Sequence, residues 1–232
     1  TIVGWTGLPA VRTTAFTQAE GGAMTLLTTP SGSSTQANAI NDSGTVAGFT
    51  LKTNGTTRAT VWSGGTRTEL PDLPGGADYS SAQAINADGL VVGGSGVANG
   101  GHAFAWTAAG GMVDLGDLDG GNVASVAWSV NDAGDIVGTG SSTTQPNHAL
   151  LWRDGQMIDL GLVPEVQAAG WQLEQAMDIN NQGQITGIGR LGGQVRSFVL
   201  TPVASPVPEP AAWLLLAAGG LALTVRRRAA AA

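Results

Sequence analysis

The chain contains no cysteine, a single lysine (Lys52) and few charged residues, which make up 12% of its 232 residues. Without cysteine it has no disulfide, zinc–thiolate site or thiol nucleophile, so an exported domain of this sequence must rely on packing alone. Gly-x-Ser-x-Gly, His-Glu-x-x-His and phosphate-binding loop motifs are also absent, which removes the signatures of several common enzyme classes. Glycine is abundant, with 36 residues.

Basic residues are scarce before the C-terminal tail. The tail holds three of the ten Lys and Arg residues and one of the seventeen Asp and Glu residues. The rest of the chain therefore carries seven basic and sixteen acidic side chains, a net charge of −9. Binding to nucleic acid needs clustered Lys and Arg to neutralise phosphates. We expect no nucleic-acid partner.

The sequence begins at Thr1, inside what its pattern predicts to be a β-strand, and shows no signal peptide. An exported protein needs such a peptide at its N-terminus. We therefore expect the repeat domain described below to be truncated at its N-terminal end.

An internal repeat with a period of about 45 residues covers the chain up to residue 200. Its anchor is an Asn-x-x-Gly-x-x-x-Gly element, and the asparagines of successive anchors are 45, 45 and 49 residues apart: Asn41, Asn86, Asn131 and Asn180. A polar–small–apolar segment follows each anchor, as in His102-Ala103-Phe104, and Asp-Leu-Gly closes two of the units. Self-similarity at such a period is typical of a repeat architecture.

Each unit is predicted to contain four short strands. The Asn-x-x-Gly element suits a type I turn followed by a glycine in the left-handed region. Four strands per 40–50 residues, with periodic Gly and aromatic residues, are typical of a β-propeller blade. The predicted fold class is all-β, an incomplete β-propeller-like array of four-stranded blades, with a β-solenoid or stacked sandwich as the alternative. One segment, 167–176, fits helix and strand about equally.

The C-terminal tail has three parts in a fixed order. Val207, Pro208, Glu209 and Pro210 close a Pro-rich linker (201–210), and an uncharged apolar run occupies 211–225. Arg226, Arg227 and Arg228 follow it. The apolar run spans roughly 22 Å as a helix, and the arginines resist translocation, so 211–228 is predicted to be a transmembrane sorting helix with an Arg cluster.

This order resembles the PEP-CTERM sorting signal of Gram-negative bacteria. The resemblance implies a protein that an exosortase, a membrane-embedded cysteine protease, cuts near Pro-Glu-Pro. It also implies anchoring to the inner membrane through the C-terminal helix, either transient or stable.

The body, 1–200, is similar to the HAF family of bacterial extracellular repeat proteins, which is named for a recurrent His-Ala-Phe. His102-Ala103-Phe104 matches that motif outright, and His148-Ala149-Leu150 matches it nearly. Neither resemblance implies catalytic residues.

The two histidines of the chain, His102 and His148, occupy equivalent repeat positions, where other units have Arg58, Arg196 and Thr14. A position that accepts His, Arg or Thr indicates a hydrogen-bond donor and not a metal ligand, so no metal site is predicted there. The turn 131–135 resembles a calcium loop only in part, because the closing bidentate Glu of such a loop is missing. No cofactor is predicted, although calcium stays open.

Repeated carboxylates are the remaining candidates for chemistry. Asp114 and Asp159, with Glu69 in the cognate position, recur from unit to unit. Catalysis requires one asymmetric pair, whereas a feature of every unit suits a strand-end hydrogen bond. We expect them to be structural.

Two tryptophans are the candidate ligand-binding residues. Trp128 stands three residues before an anchor asparagine, where the other units have Asn38, Gln83 and Met177. Trp171 lies in the longer spacing before Asn180. Both could stack on sugar rings, or they could fill gaps between blades.

Two function classes remain. One is a non-enzymatic protein of the cell surface or extracellular matrix that binds exopolysaccharide or another surface component. The other is a propeller-type polysaccharide hydrolase or lyase. The first needs only a rigid scaffold with exposed loops, whereas the second needs an asymmetric cluster of acid–base residues that the sequence does not display. The sequence favours the first.

Overall fold

The computed structural model describes residues 1–7, 12–76, 78–118, 124–143 and 147–202. In these residues the chain forms eighteen β-strands, one 3₁₀ turn (Leu160–Leu162) and one short helix, α1 (Pro164–Ala168). The strands, in chain order, are β1 (Ile2–Thr6), β2 (Thr14–Gln18), β3 (Met24–Leu26), β4 (Ser34–Ile40), β5 (Val46–Leu51), β6 (Thr57–Ser63), β7 (Thr66–Glu69), β8 (Ser80–Ile85), β9 (Val91–Val97), β10 (Gly100–Thr107), β11 (Gly111–Asp114), β12 (Ser125–Val130), β13 (Ile136–Gly140), β14 (His148–Arg153), β15 (Gln156–Asp159), β16 (Trp171–Ile179), β17 (Ile185–Leu191) and β18 (Gln194–Leu200).

These strands form five antiparallel sheets, each a simple meander of consecutive strands. Sheet 1 is β1–β3, sheet 2 is β4–β7, sheet 3 is β8–β11, sheet 4 is β12–β15 and sheet 5 is β16–β18. The all-β prediction and the four strands per repeat unit are therefore confirmed for the three central units. The first and last sheets have three strands each. Closure of the sheets into a propeller stays a prediction.

The central strands of sheets 2 to 4 are largely buried on both faces because each of these sheets packs between two others. In β10, for example, Ala103 and the adjacent Phe104 are both fully buried although their side chains point to opposite faces. Hydrophobic clusters fill the gap between each pair of consecutive sheets. Between sheets 4 and 5, for example, Val137 and Leu151 pack with Leu173 and Phe198. Stacking of sheets therefore replaces the single core of an ordinary domain.

The anchor asparagines lie at the turn between the first two full strands of each unit, as predicted. The N–H of Gly44 donates to the carbonyl of Asn41 at 3.0 Å, and the three later units repeat this bond. The glycine of each turn has a positive φ: 79° at Gly44, 83° at Gly89, 85° at Gly134 and 74° at Gly183. These values confirm the predicted left-handed position, which glycine occupies at the lowest cost.

The second glycine of the anchor faces a β-bulge in the preceding strand. The register of β8 on β9 skips Gln83, which brings the carbonyl of Ser81 over Gly93. A Cβ on Gly93 would lie 2.0 Å from that oxygen. The same distance occurs at Gly48, Gly138 and Gly187. The residues that the register skips are the variable positions three residues before the anchor: Asn38, Gln83, Trp128 and Met177.

Hydrogen bonds between the anchor asparagines run from unit to unit. The side-chain oxygen of Asn86 accepts the N–H of Leu90 in its own turn, while Nδ2 donates to the backbone carbonyl of Asn131 at 3.0 Å. Asn41 donates to Asn86, and Asn131 to Asn180, in the same way. We call this series the asparagine ladder. Each of these asparagines thus caps its own turn, and the ladder also fixes one sheet to the next.

The ambiguous segment contains both elements. Helix α1 ends at Ala168 and β16 begins at Trp171, so each interpretation holds for part of 167–176.

Residues Thr1–Thr201 form one compact unit, and Pro202–Ala232 are a separate one. In the described ranges no helix has the length and apolar character needed to cross a membrane. The predicted transmembrane helix (211–228) and most of the Pro-rich linker lie outside the described residues.

Candidate functional site

The repeated histidines donate to carboxylates on the neighbouring fourth strand. Nδ1 of His102 lies 2.9 Å from Asp114, and Nδ1 of His148 lies 2.7 Å from Oδ2 of Asp159. Arg58, at the cognate position of an earlier unit, pairs instead with Asp72 and Asp78. The donor role predicted for this position is confirmed.

The repeated carboxylates also close the turn that follows the fourth strand. Oδ1 of Asp114 accepts the N–H of Gly116, and Oδ1 of Asp159 accepts the N–H of Gly161, each at 2.8 Å. Both carboxylates thus hold strand ends, as predicted. The carboxylate of Glu69, at the cognate position, instead forms ion pairs with Lys52 and Arg67. Burial acts to raise its pKa, but hydrogen bonds from Lys52 and Arg67 outweigh burial and leave the pKa below its usual value.

The gap between sheets 4 and 5 contains a cavity of about 750 Å³. It lies where the repeat spacing lengthens, because the 3₁₀ turn and α1 are inserted between β15 and β16. Five of its lining residues carry the chemistry of the site: His148, Asp159, Trp171, Glu174 and Arg190. We refer to it as the Trp171 cavity.

Glu174 is placed in the cavity by a bulge that the described units before it lack. The pairing of β16 with β17 has two irregularities, whereas the first strands of sheets 2 to 4 (β4, β8 and β12) have one each. The additional one skips Glu174, between Leu173 and Gln175. Its Oε1 lies 2.6 Å from Nε of Arg190 on β17. Bulges often redirect a side chain next to a functional site.

Trp171 forms an aromatic wall of the cavity and is half-buried. Its ring contacts the edge of Phe198, with centroids 6.3 Å apart and an interplanar angle of 73°. It also lines a second, more apolar cavity of about 350 Å³ beside α1. Phe198 thus supports the ring from the core side of sheet 5.

Trp128, the other candidate, does not line the Trp171 cavity. It is the bulge residue of β12, and its indole N–H donates to Oγ1 of Thr139 at 3.0 Å. This contact joins two strands of sheet 4, so it decides neither for ligand binding nor for gap filling between blades. Among the described residues, neither the Trp171 cavity nor the smaller cavity beside α1 is lined by both tryptophans, and ligand binding at Trp128 stays a prediction.

Ser142 adds a contact that sequence reasoning missed. Its Oγ lies 3.0 Å from Nε2 of His148. Because the carboxylate of Asp159 only accepts hydrogen bonds, Nδ1 of His148 donates to it, which leaves Nε2 to pair with the serine hydroxyl. The order Ser–His–Asp is the one that activates a serine nucleophile. The spacing between Ser142 and His148 gives no recognised motif.

The carboxylates of the calcium-like turn are engaged by protein groups. Both oxygens of Asp135 accept from Arg153, at 2.7 Å each, and Nδ2 of Asn131 lies 3.2 Å away. Asp132 accepts the N–H of Ala87 and the amide of Asn181. Within the described ranges no group of three or more acidic or His side chains could hold a metal ion. Calcium binding stays a prediction.

The Asp135–Arg153 pair predicts a pH-dependent stability. The hydrogen bonds from Arg153 lower the pKa of Asp135, against the opposing effect of burial. A lowered folded-state pKa contributes stability that is present above the ordinary value of about 3.9 and is lost as pH falls through the folded-state pKa. Arg153→Met should therefore lower the free energy of unfolding by about 1 kcal/mol at pH 7.

The measurement is urea unfolding from pH 7 to pH 2. The difference between Arg153→Met and the unsubstituted protein should shrink below about pH 4. Arg196→Met is the matched control, because the described partner of Arg196 is the uncharged Gln194. A difference for Arg153→Met that stays constant with pH would contradict the ion-pair assignment.

Comparison with known proteins gives similar solved structures and one matching family motif. No curated protein matches the chain in sequence. The chain is similar to the crystal structure of AofleA from Arthrobotrys oligospora, with a TM-score of 0.41 and 10% sequence identity, over 85% of this chain and 68% of that chain. A likeness at that level carries no argument about function.

The matching family lies in the tail. Residues 206–228 match the PEP-CTERM protein-sorting motif. The match spans Val207–Pro210, the apolar run and the three arginines from which the resemblance was drawn. The HAF resemblance of the body has no such match and stays an interpretation of the sequence. Residues 206–228 thus carry a PEP-CTERM motif, which supports export to the cell envelope and processing by exosortase.

Proposed function

We propose that this protein is displayed at the cell surface or in the extracellular matrix, where its repeat domain binds exopolysaccharide or another surface component without catalysing a reaction. The observation that carries the proposal is the PEP-CTERM motif at 206–228. Before processing, the apolar run anchors the chain in the inner membrane. Exosortase then acts near Pro208–Pro210, with Arg226–Arg228 on the cytoplasmic side.

The architecture of the body supports a binding role. Five stacked sheets with a hydrophobic cluster in each gap form a rigid scaffold. Rigid elements hold a binding surface in place without a large entropy loss on binding. The repeated His–Asp pairs close turns, so they serve the scaffold. The net charge of −9 outside the tail argues against a nucleic-acid ligand.

The proposal is tested by expressing the full-length gene, with and without residues 207–232, in a host that has exosortase. We expect the complete chain to reach the surface with a mass lower than that of its precursor. The truncated chain should lack this processing and be displayed less. Substitution of Pro208, Glu209 and Pro210 by alanine should prevent processing, whereas Pro202→Ala, outside the motif, is the matched control. A complete chain that keeps the mass of its precursor, or equal display with and without the tail, would contradict the proposal.

The second candidate is a hydrolase, and the contact of Ser142 with His148 favours it. This arrangement suits removal of an acyl group from an acylated polysaccharide more than cleavage of a glycosidic bond, which uses paired carboxylates. A fluorophosphonate probe labels activated serines. Labelling that Ser142→Ala abolishes would favour the hydrolase, and absence of labelling in the intact protein would favour the non-enzymatic role.

A further inference from the structure

The Trp171 cavity combines features that the described gaps between the other sheets lack. The insertion before β16 opens it, a second bulge places Glu174 in it, and Trp171 provides an aromatic wall. In sheets 2 to 4, a Ser or Thr hydroxyl on the first strand accepts a backbone N–H from the preceding sheet. In sheet 5 the equivalent position is occupied by Leu173, which has no hydroxyl. The three hydroxyls belong to Thr35, Ser80 and Ser125.

We propose that the Trp171 cavity is a carbohydrate-binding site and that its ligand is an uncharged saccharide. The inference rests on the proposed function, since it names the site and ligand class of the binding role. The cavity volume of about 750 Å³ lies within the range of about 300–1,000 Å³ that small-molecule sites occupy. It is large enough to enclose the end of a glycan chain.

The aromatic wall suits the apolar face of a sugar ring. A pyranose presents C–H groups on one face, which pack against an indole ring. Trp171 is held by its edge contact with Phe198 and by pairing of its backbone with Leu191. An aromatic platform that is fixed before binding loses little side-chain entropy when the ligand arrives.

The Glu174–Arg190 pair suits neighbouring hydroxyl groups of the sugar. Each hydroxyl has one donor and two acceptor sites, so it can donate to the carboxylate and accept from the guanidinium. The 2.6 Å contact between the two side chains fixes their positions before the ligand enters. The side chain of Arg190 keeps 45% of its surface exposed, so donors remain available.

The charges of the described lining residues favour an uncharged ligand. Arg190 is neutralised by Glu174, and His148 donates to Asp159. The lining thus contains two carboxylates against one permanent cation. A uronic acid or a sulfated sugar would meet net negative charge here. Electrostatic repulsion of this kind provides specificity by excluding the wrong partner.

The test measures binding of the full chain to two matched sets of oligosaccharides. One set contains neutral hexoses, deoxyhexoses and N-acetylhexosamines, and the other contains uronic acids and sulfated sugars. We expect binding within the neutral set, measured by calorimetry, and binding at least tenfold weaker for the acidic set. Failure of every neutral oligosaccharide to bind, or equal binding of both sets, would overturn the inference.

Substitutions locate the site. Trp171→Ala and the nearly isosteric Glu174→Gln should each weaken neutral-glycan binding at least tenfold, with the unfolding transition of Glu174→Gln unchanged. Trp5→Ala is the matched control, because Trp5 is an exposed tryptophan on sheet 1. Unchanged binding by both cavity variants would overturn the site while leaving the binding role intact. Loss of exosortase processing in the tail experiment would instead overturn the proposed function.

Discussion

Replacing Gly93 by alanine is expected to lower the free energy of unfolding by about 3 kcal/mol. The added Cβ would lie 2.0 Å from the carbonyl oxygen of Ser81 and 3.0 Å from the ring of Phe104. The oxygen belongs to the backbone of a bulged strand, so no side-chain rotation relieves the contact. The bulge must therefore shift, and with it the packing of Phe104, which is fully buried.

Gly101→Ala in the neighbouring strand is the matched control for Gly93→Ala. Its added Cβ would have its nearest contact at 3.6 Å, with the carbonyl of Ser95, which is ordinary van der Waals distance. Urea unfolding followed by tryptophan fluorescence compares the two variants. Equal stability of Gly93→Ala and Gly101→Ala would refute the bulge-over-glycine explanation of the anchor element.

Asn86→Asp is expected to lower the free energy of unfolding by about 1–3 kcal/mol at neutral pH. The substitution keeps the oxygen that accepts the N–H of Leu90, so the local turn retains its cap. It replaces the ladder donor with an oxygen that faces the carbonyl of Asn131. Asn86 is 5% exposed, so water does not restore the lost bond.

Acidification and a second variant test this interpretation. Below the pKa of the new carboxyl group its O–H can donate to Asn131, so the loss should become smaller at acid pH. Asn180→Asp is the control, because Nδ2 of Asn180 donates to Gln184 within the same exposed turn and not to another sheet. A loss at Asn180 as large as that at Asn86 would show that the turn, and not the ladder, is what the substitution damages.

The repeat, the strand number and the turns were predictable because their causes are local. The Asn-x-x-Gly element requires a glycine with positive φ four residues into a turn, and Gly44, Gly89, Gly134 and Gly183 all have it. The donor role at the His102 position followed from comparing units, since His and Arg share the ability to donate to a carboxylate.

The chemistry of the cavity was not predictable in the same way. Trp171 was a candidate from its place in a longer spacing, but Glu174, Arg190 and Ser142 had no pattern to indicate them. The spacing of 49 in place of 45 residues was the available signal of an insertion. It could not show that the insertion opens a cavity, because the cavity depends on how sheet 5 packs against sheet 4.

The sequence by itself determined the repeat, its all-β character, the turn geometry and the sorting motif, because each of these depends only on residues within one unit or one short segment. Only the tertiary structure decided which side chains meet across units. The asparagine ladder joins residues 45 to 49 positions apart, and the second bulge of β16 directs Glu174 to a strand that follows it. Such contacts depend on the register and stacking of sheets, which minimise exposed apolar surface over the whole array rather than in any single segment.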